Sequence, residues 1–233
     1  MTKTELFIDG PEVENGIRYP YSDGKPMAET DFHLLAIRLL LDALEDFLKH
    51  RKDVYITGNV NLFWVESNEK RRRAPDAMVV LGVEKGARRS YRIWREGGVA
   101  PAVCFEMASK RTWKANLGGV KNDYEEAGVQ EYFIFDPTRE FLDAPLVGFQ
   151  QTEGRFIPLE ADSSGALISK MLNLRLVPEE RMLRLVSLAT GQFVPTRTEQ
   201  IAKKQAHEDQ LEAEVSQLKA ALQSKGKSLN GHS

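Results

Sequence analysis

The chain has 233 residues, of which 42% are hydrophobic, and a formal net charge of −2. This length suits one folded domain with an appendage. No apolar run approaches the roughly 20 residues of a membrane-spanning helix, and the first residues show no secretory signal, so we expect a cytoplasmic protein without a membrane partner. The single cysteine, Cys104, excludes an intrachain disulfide and a cysteine-based zinc site.

The small net charge hides an uneven distribution of charged residues. Residues 70–121 contain thirteen Lys or Arg and four Asp or Glu, so this segment carries a charge of +9 and the rest of the chain −11. A local positive field suits a polyanionic substrate. The alternative is a solvated surface whose charge is balanced by acids elsewhere in the fold, and the sequence leaves both interpretations open.

Hydrophobic periodicity and turn residues predict the elements of the first 135 residues. Residues 1–28 are rich in Pro and Gly and predict a loop or an edge segment. A helix is expected from Thr30 or Asp31 to about residue 50, because both residues are good N-caps. Its predicted apolar stripe is Leu34, Ile37, Leu41, Leu44 and Leu48.

The middle of the chain alternates strands with one loop and one helix. Strands are predicted at 54–58, 60–65, 77–81, 102–107 and 131–135, a basic loop at 82–100, and a helix at 113–127. The order strand, helix, strand indicates a crossover between two strands of one sheet. From 145 to 195 the pattern becomes short strands with turns.

The C-terminal segment has a different composition. Residues 196–223 contain neither Gly nor Pro and predict a helix whose apolar residues fit a short coiled coil. The expected organisation is therefore a domain at 1–195, a helix at 196–223 and a disordered tail at 224–233.

Two carboxylates stand in otherwise apolar surroundings. Asp76 directly precedes the strand at 77–81, and Glu106 lies inside the strand at 102–107. A carboxylate in such a strand costs several kcal/mol to desolvate, on the order of 2–7, unless it is paired. Strand alternation puts Glu106 on the face of the small residues Ala102, Cys104 and Ala108, opposite Val103, Phe105 and Met107.

Such a pair suits a hard divalent cation. Mg²⁺ prefers oxygen ligands and keeps several waters, so two carboxylates and a substrate phosphate suffice to hold it. The ion lowers the pKa of a bound water and stabilises charge on phosphorus, and a nearby lysine would assist. The pair thus predicts a metal-dependent phosphodiesterase site in a basic segment.

These residues form part of a longer pattern. The chain resembles the bacterial "putative restriction endonuclease" family of the PD-(D/E)XK nuclease superfamily over about residues 15–190. The matching residues are 22–31 with His33, Gly58-Asn59, Ala74-Pro75-Asp76, Lys85-Gly86, 88–91, Glu106 with Ser109 and Thr112, Gly128-Val129, 131–133 and Asp136-Pro137. The resemblance implies an α/β (α+β) fold with a mixed central sheet flanked by helices. It also implies that Asp76 and Glu106 bind Mg²⁺ or Mn²⁺.

The chain departs from the family pattern at the lysine. The family's helix after the glutamate carries Asp, Lys and Tyr at steps of four, and here those steps read Asn116, Val120 and Tyr124. Lys121 comes one residue late, about 100° around a regular helix. A local helix bulge would restore it as the catalytic lysine. Lys110 or Lys114 would be a substitute from the loop.

Further residues are candidates for auxiliary roles. Glu29 and Tyr124 are expected as auxiliary members of the site, although Glu29 also suits a helix N-terminal acid. His33 is interpreted first as a surface or satisfied histidine. The residues expected to hold DNA are Arg71, Arg72, Arg73, Arg88, Arg89 and Lys114.

Two hypotheses for function follow. The first is a Mg²⁺- or Mn²⁺-dependent DNA endonuclease with Asp76, Glu106 and Lys121 in its site. The second is a catalytically degenerate nuclease fold that binds DNA or serves in assembly, motivated by Asn116 and Val120. With either, the C-terminal helix is expected to dimerise the chain or to dock a partner, and a free-standing helix is the alternative.

Overall fold

The computed structural model of the protein describes residues 12–20 and 30–229. The chain divides into two compact units, Met1–Val194 and Pro195–Ser233. The first unit begins with β1 (Glu12–Glu14), β2 (Ile17–Tyr19), α1 (Asp31–Phe47), β3 (Val54–Thr57), β4 (Leu62–Phe63), β5 (Arg72–Arg73), β6 (Ala77–Leu81), β7 (Tyr91–Arg92), a 3₁₀ helix (Ile93–Glu96) and β8 (Val103–Met107). It continues with α2 (Trp113–Ala115), a π-helical segment (Asn116–Val120), α3 (Lys121–Glu126), β9 (Glu131–Phe135), β10 (Leu146–Thr152), β11 (Arg155–Pro158), β12 (Leu167–Ser169), β13 (Leu174–Glu179) and β14 (Met182–Ser187).

A mixed six-stranded sheet forms the centre of the first unit. Its strand order is β11-β10-β9-β8-β6-β3. The β8–β9 pair is parallel, as the predicted strand-helix-strand crossover requires, and the other neighbours are antiparallel. Smaller sheets of order β12-β13-β14 and β5-β4-β7 and the β1-β2 hairpin complete the unit. The predicted α+β fold with a mixed central sheet is confirmed.

Both faces of this sheet are buried in apolar cores. One core joins α1 to Val103, Phe105 and Met107 of β8 and to β13 and β14. The other contains Cys104, Ala108 and Tyr132 and Ile134 of β9, and is covered by the helical segment that follows β8. The small-residue face of β8 is therefore covered by a helix and is less open than the sequence indicated.

Helix α1 begins where its N-cap predicts. The Thr30 side chain accepts a hydrogen bond from the backbone N–H of His33 at 3.2 Å. The buried residues of the helix are His33, Ala36, Ile37, Leu40, Ala43 and Leu44. The predicted stripe was correct at Ile37, Leu44 and Leu48, which are all buried. At Leu34 and Leu41 burial is displaced by one residue to His33 and Leu40, because a run of leucines leaves the face of a helix poorly defined.

The segment at 82–100 is more ordered than the predicted loop. It contains β7 and the 3₁₀ helix. Tyr91 is fully buried, its ring stacks on Tyr55 at 5.9 Å between centroids, and its hydroxyl donates to the Val99 carbonyl at 2.8 Å. One buried aromatic residue thus ties this segment to the core.

The second unit contains one long helix, α4 (Arg197–Leu229). It extends to Leu229, beyond the predicted end at 223, while 230–233 of the predicted tail lie outside the described residues. A single Gly at 226 costs a helix only about 1 kcal/mol, which strong helix formers around it offset. In the described part of the chain, no helix is long and apolar enough to cross a membrane.

A close backbone approach fixes the chain beside β6. The Asn59 N–H donates to the Pro75 carbonyl at 2.8 Å. A Cβ on Gly58 would lie 2.5 Å from the Asp76 carbonyl oxygen and 2.9 Å from Leu41 Cδ1. The position therefore requires a residue without a side chain.

Gly58→Ala is expected to lower the free energy of unfolding by about 1–3 kcal/mol, because the added methyl group overpacks against backbone. Thermal melting should show a decrease of roughly 3–10 °C. Gly86→Ala is the matched control, since the nearest atom to its Cβ would be 4.0 Å away. Equal melting temperatures for the two variants would contradict the steric argument.

Candidate active site

The antiparallel register of β6 and β8 brings the two predicted carboxylates together. Ala77 pairs with Phe105, so the next position along the ladder places Asp76 opposite Glu106. Directly opposed residues of an antiparallel pair have side chains on the same face, with Cβ atoms about 4.5–5.5 Å apart. Two residues that are 30 positions apart in sequence thus share one small region of the sheet.

Asp76 is held by a backbone donor and a histidine. Its Oδ2 accepts a hydrogen bond from the Met107 N–H at 2.7 Å. The Nε2 of His33, on the first turn of α1, lies 3.3 Å from the same oxygen. The His33 side chain is buried, and its position at the carboxylate departs from the surface interpretation.

Glu106 is held by a tyrosine from α3. The Tyr124 hydroxyl donates to Glu106 Oε1 at 2.5 Å. Burial raises the pKa of Tyr124 well above its usual value, and so does the nearby Glu106 charge, so the hydroxyl remains a donor. Tyr124 therefore contacts the site at the position that the sequence pattern indicated.

The two carboxylates repel each other electrostatically. Burial raises the pKa of Glu106 well above its usual value, and the charge of Asp76 raises it further. The Tyr124 hydrogen bond and the Arg73 charge act in the opposite direction. A pair of this kind ionises fully only when a positive charge lies close to it.

The donor set fits a hard cation. Within the described residues, Asp76 Oδ1 and Glu106 Oε2 accept no hydrogen bond, so each carboxylate keeps one oxygen available. Residues 12–20 and 30–229 contain no group of three or more His, Cys, Asp or Glu side chains arranged around a metal position. A cation here would therefore have two carboxylate ligands and complete its shell with water or substrate oxygens.

The helix over the site contains a bulge, but Lys121 is not among its buried residues. Tyr124 follows Asn116 by eight positions. In a regular α-helix these eight steps rotate the side chain about 80° past two full turns. The π-helical segment absorbs this excess, and the buried residues are Asn116, Val120 and Tyr124. The bulge thus keeps Val120 on the buried face. The Lys121 ammonium lies 5.1 Å from the centroid of the Phe149 ring, and no ion pair joins it to either carboxylate within the described chain.

Several buried polar atoms around this site have no partner among the described residues. They are His33 Nδ1, Arg73 Nε and Asn116 Nδ2. Buried polar groups are normally hydrogen-bonded to protein or water, so unpaired polar atoms mark positions where water or a ligand belongs. Asn116 lies on the same helix face as Tyr124.

Most of the basic residues expected to hold DNA are engaged within the chain. Arg71 forms ion pairs with Asp123 and Glu126, and Arg73 forms one with Asp123 at 2.5 Å. Arg72 Nη1 donates to the Glu69 carbonyl at 2.7 Å, and Arg88 Nε donates to the Glu96 carboxylate at 2.7 Å. The Lys114 ammonium lies 5.3 Å from the centroid of the Trp113 ring. Arg89 is partly buried. The acids elsewhere in the fold thus balance much of the positive segment.

Other predicted residues lie away from these contacts or outside the described residues. Glu29 falls in the segment that the structure does not describe, and Lys110 is exposed. Sequence reasoning missed the contact of His33 with Asp76 and the ion pair of Arg73 with Asp123. His33 lies four residues before Ile37, on the same buried face of α1, and this spacing was the available signal that the histidine is buried.

Glu106→Gln is expected to flatten the dependence of stability on pH in EDTA. Because the raised pKa lets the folded protein keep a proton that the unfolded chain loses, the free energy of unfolding should fall as pH rises above the usual glutamate pKa and through the raised one. In Asp76→Asn the fall in the free energy of unfolding should be smaller than in the parent, since the variant removes the Asp76 charge that helps to raise the pKa of Glu106. Thermal melting between about pH 5 and 9 measures this. Glu45→Gln, on the exposed face of α1, is the control and should follow the parent; a parent-like slope in Glu106→Gln would refute the assignment.

Comparisons with known proteins identify the family of the chain. The Uma2 family profile, described as "Putative restriction endonuclease", matches residues 5–215. A crystal structure of a "putative nuclease belonging to DUF820" from Anabaena variabilis ATCC 29413 is similar, with a TM-score of 0.47 and 14% identity over 69% of this chain and 87% of that chain. Comparison with curated proteins found no match. Because the profile covers most of the chain, the protein belongs to the Uma2 putative restriction endonuclease family.

Proposed function

We propose that the protein is a metal-dependent endonuclease that hydrolyses phosphodiester bonds of DNA. The observation that carries the proposal is the juxtaposition of Asp76 and Glu106, each with one oxygen free of hydrogen bonds within the described residues. Membership of the restriction endonuclease family supports the same reaction class. Asp76 and Glu106 would hold Mg²⁺ or Mn²⁺, which supplies an activated water and a positive charge at phosphorus.

The surrounding side chains would keep both ligands oriented. The Met107 N–H and His33 fix one oxygen of Asp76, and Tyr124 fixes one oxygen of Glu106. With these oxygens occupied, the other oxygen of each carboxylate is left for the cation. Outer partners of this kind orient metal ligands and commonly change metal affinity by about 10–100-fold when removed.

DNA would approach over the basic residues that remain partly exposed. The side chains of Arg71 and Arg73 are 35% and 40% exposed despite their ion pairs, and Lys114 is exposed. The planar guanidinium group can exchange a carboxylate partner for a phosphate of similar geometry. We propose Arg71, Arg72, Arg73, Arg88, Arg89 and Lys114 as the DNA-contacting set.

A second candidate function is DNA binding without cleavage. Val120 occupies the step at which the family pattern has its lysine, and the Lys121 ammonium rests on Phe149. A site with two carboxylates but no assisting cation would bind a divalent ion and DNA while turning over slowly. The cleavage test below separates the two candidates.

Supercoiled plasmid incubated with the protein in Mg²⁺ or Mn²⁺ is expected to be nicked or linearised. Asp76→Ala and Glu106→Ala should each lower the rate by at least about 10²-fold, because each removes a metal ligand. Ser164→Ala, on an exposed turn, is a control for preparation and should cut at the parent rate. Folded parent that binds DNA but leaves the plasmid intact would favour the second candidate.

We further propose that the chain forms a homodimer through α4. The apolar residues Ile201, Leu211, Val215 and Leu218 of this helix are 46–62% exposed, at spacings that fit heptad a and d positions. Lys204 and Glu208 stand at the two weak positions of the pattern. A dimer would present two sites to the two strands of a duplex.

Light scattering on the full chain is expected to give the mass of two chains. Leu211→Glu with Leu218→Glu should lower the measured mass to one chain, because like charges would be buried in the seam. Gln210→Glu with Gln217→Glu adds the same charges outside the seam and should leave the dimer intact. A monomeric parent would disprove the assembly proposal without affecting the cleavage proposal.

A further inference from the structure

The acidic pair has no lysine beside it in the described chain. Val120 fills the buried step, and the Lys121 ammonium lies on Phe149. Lys110 is exposed, and the Lys114 ammonium lies over Trp113. No ion pair joins any of these lysines to Asp76 or Glu106 within the described chain, whereas the charge of Arg73 lowers the pKa of Glu106.

The chain ties Arg73 to the segments that carry or contact the two carboxylates. It lies in β5, three residues before Asp76. Its Nη2 is 2.5 Å from Asp123 Oδ2, and the residue after Asp123 is Tyr124, whose hydroxyl bonds Glu106. Arg73 is therefore tethered to the strand segment that carries one carboxylate and to the helix turn that contacts the other.

The guanidinium group has capacity for a further acceptor. The Nε–H of Arg73 is buried without a partner among the described residues, while 40% of the side chain remains exposed. Guanidinium donors form a rigid fork that matches two phosphate oxygens, and the group stays charged at any working pH. These properties suit a donor to negative charge on phosphorus.

We propose that Arg73, oriented by Asp123, is the catalytic cation of this site and takes the place of the lysine found in the family pattern. This inference rests on the proposed nuclease function. In the reaction, a water oxygen bonds to phosphorus, the bond from phosphorus to the leaving sugar oxygen breaks, and a proton from the water passes through solvent to that oxygen. Arg73 keeps its proton and donates hydrogen bonds to the non-bridging oxygens.

Single-turnover nicking of supercoiled plasmid with excess protein tests the proposal. Arg73→Met should lower the cleavage rate by about 10²–10³-fold, the usual effect of losing one donor to a developing oxyanion. Arg73→Lys should retain part of the rate, because the charge remains. Arg51→Met is the matched control and should cut at the parent rate. Arg51 also pairs with an aspartate, Asp53, but it lies at the end of β3 that is far from Asp76.

A rescue variant gives a result that a structural role for Arg73 would not produce. Adding Val120→Lys to Arg73→Met should recover at least about tenfold in rate, because it returns a cation to the family's position. DNA affinity measured in Ca²⁺ by fluorescence anisotropy should fall much less than the rate. A rate loss fully explained by weaker DNA binding, with no rescue by Val120→Lys, would overturn the proposal.

The outcomes also separate this inference from the proposed function. Cutting by the parent together with full-rate cutting by Arg73→Met overturns the role of Arg73 alone. Failure of the parent to cut overturns the nuclease proposal and the inference with it. If Arg73→Met does not fold, Asp123→Asn takes its place: it should slow cleavage by releasing Arg73, and an unchanged rate would overturn the proposal.

Discussion

The repulsion between Asp76 and Glu106 is the interaction on which the rest of the site depends. Antiparallel pairing of β6 with β8 forces the two carboxylates together, and burial raises the pKa of Glu106 further. The groups around them offset this cost with the Met107 N–H on one side and the Tyr124 hydroxyl on the other. A sheet that served only stability would have apolar residues at these two positions, because an unpaired buried charge costs several kcal/mol, on the order of 3–5.

The helical segment after β8 shows how the fold supports this arrangement. Its π-helical turn keeps residues spaced by four on one face, so that Asn116, Val120 and Tyr124 all point into the apolar core beside the carboxylates. Asp123, one residue earlier than Tyr124, is partly exposed and pairs with two arginines. The same turn of helix thus supplies a neutral donor to one acid and a negative anchor for the cations.

Much of the fold was readable from the sequence, because β6 and β9 are continuous apolar runs bounded by turn residues and their bounds were predicted correctly. The nearness of Asp76 and Glu106 also followed from two charges in apolar strands. His33 was missed since the leucine-rich helix hid its true buried face. The Arg73–Asp123 pair joins residues 50 positions apart, and no local pattern reports such a contact. For the same reason, the charge of residues 70–121 overstated the free positive surface.

One hydrogen bond has a consequence for how the site holds together. The Met107 N–H that binds Asp76 belongs to the central strand β8, next to the parallel strand β9. Asp76 therefore acts as an extra rung at the end of the β6–β8 ladder. The carboxylate cannot leave its place without fraying that ladder, so the position of the carboxylate and the pairing of the strands form one cooperative unit. The stiffness of the sheet fixes the geometry of the site, and this geometry persists for as long as the strands stay paired.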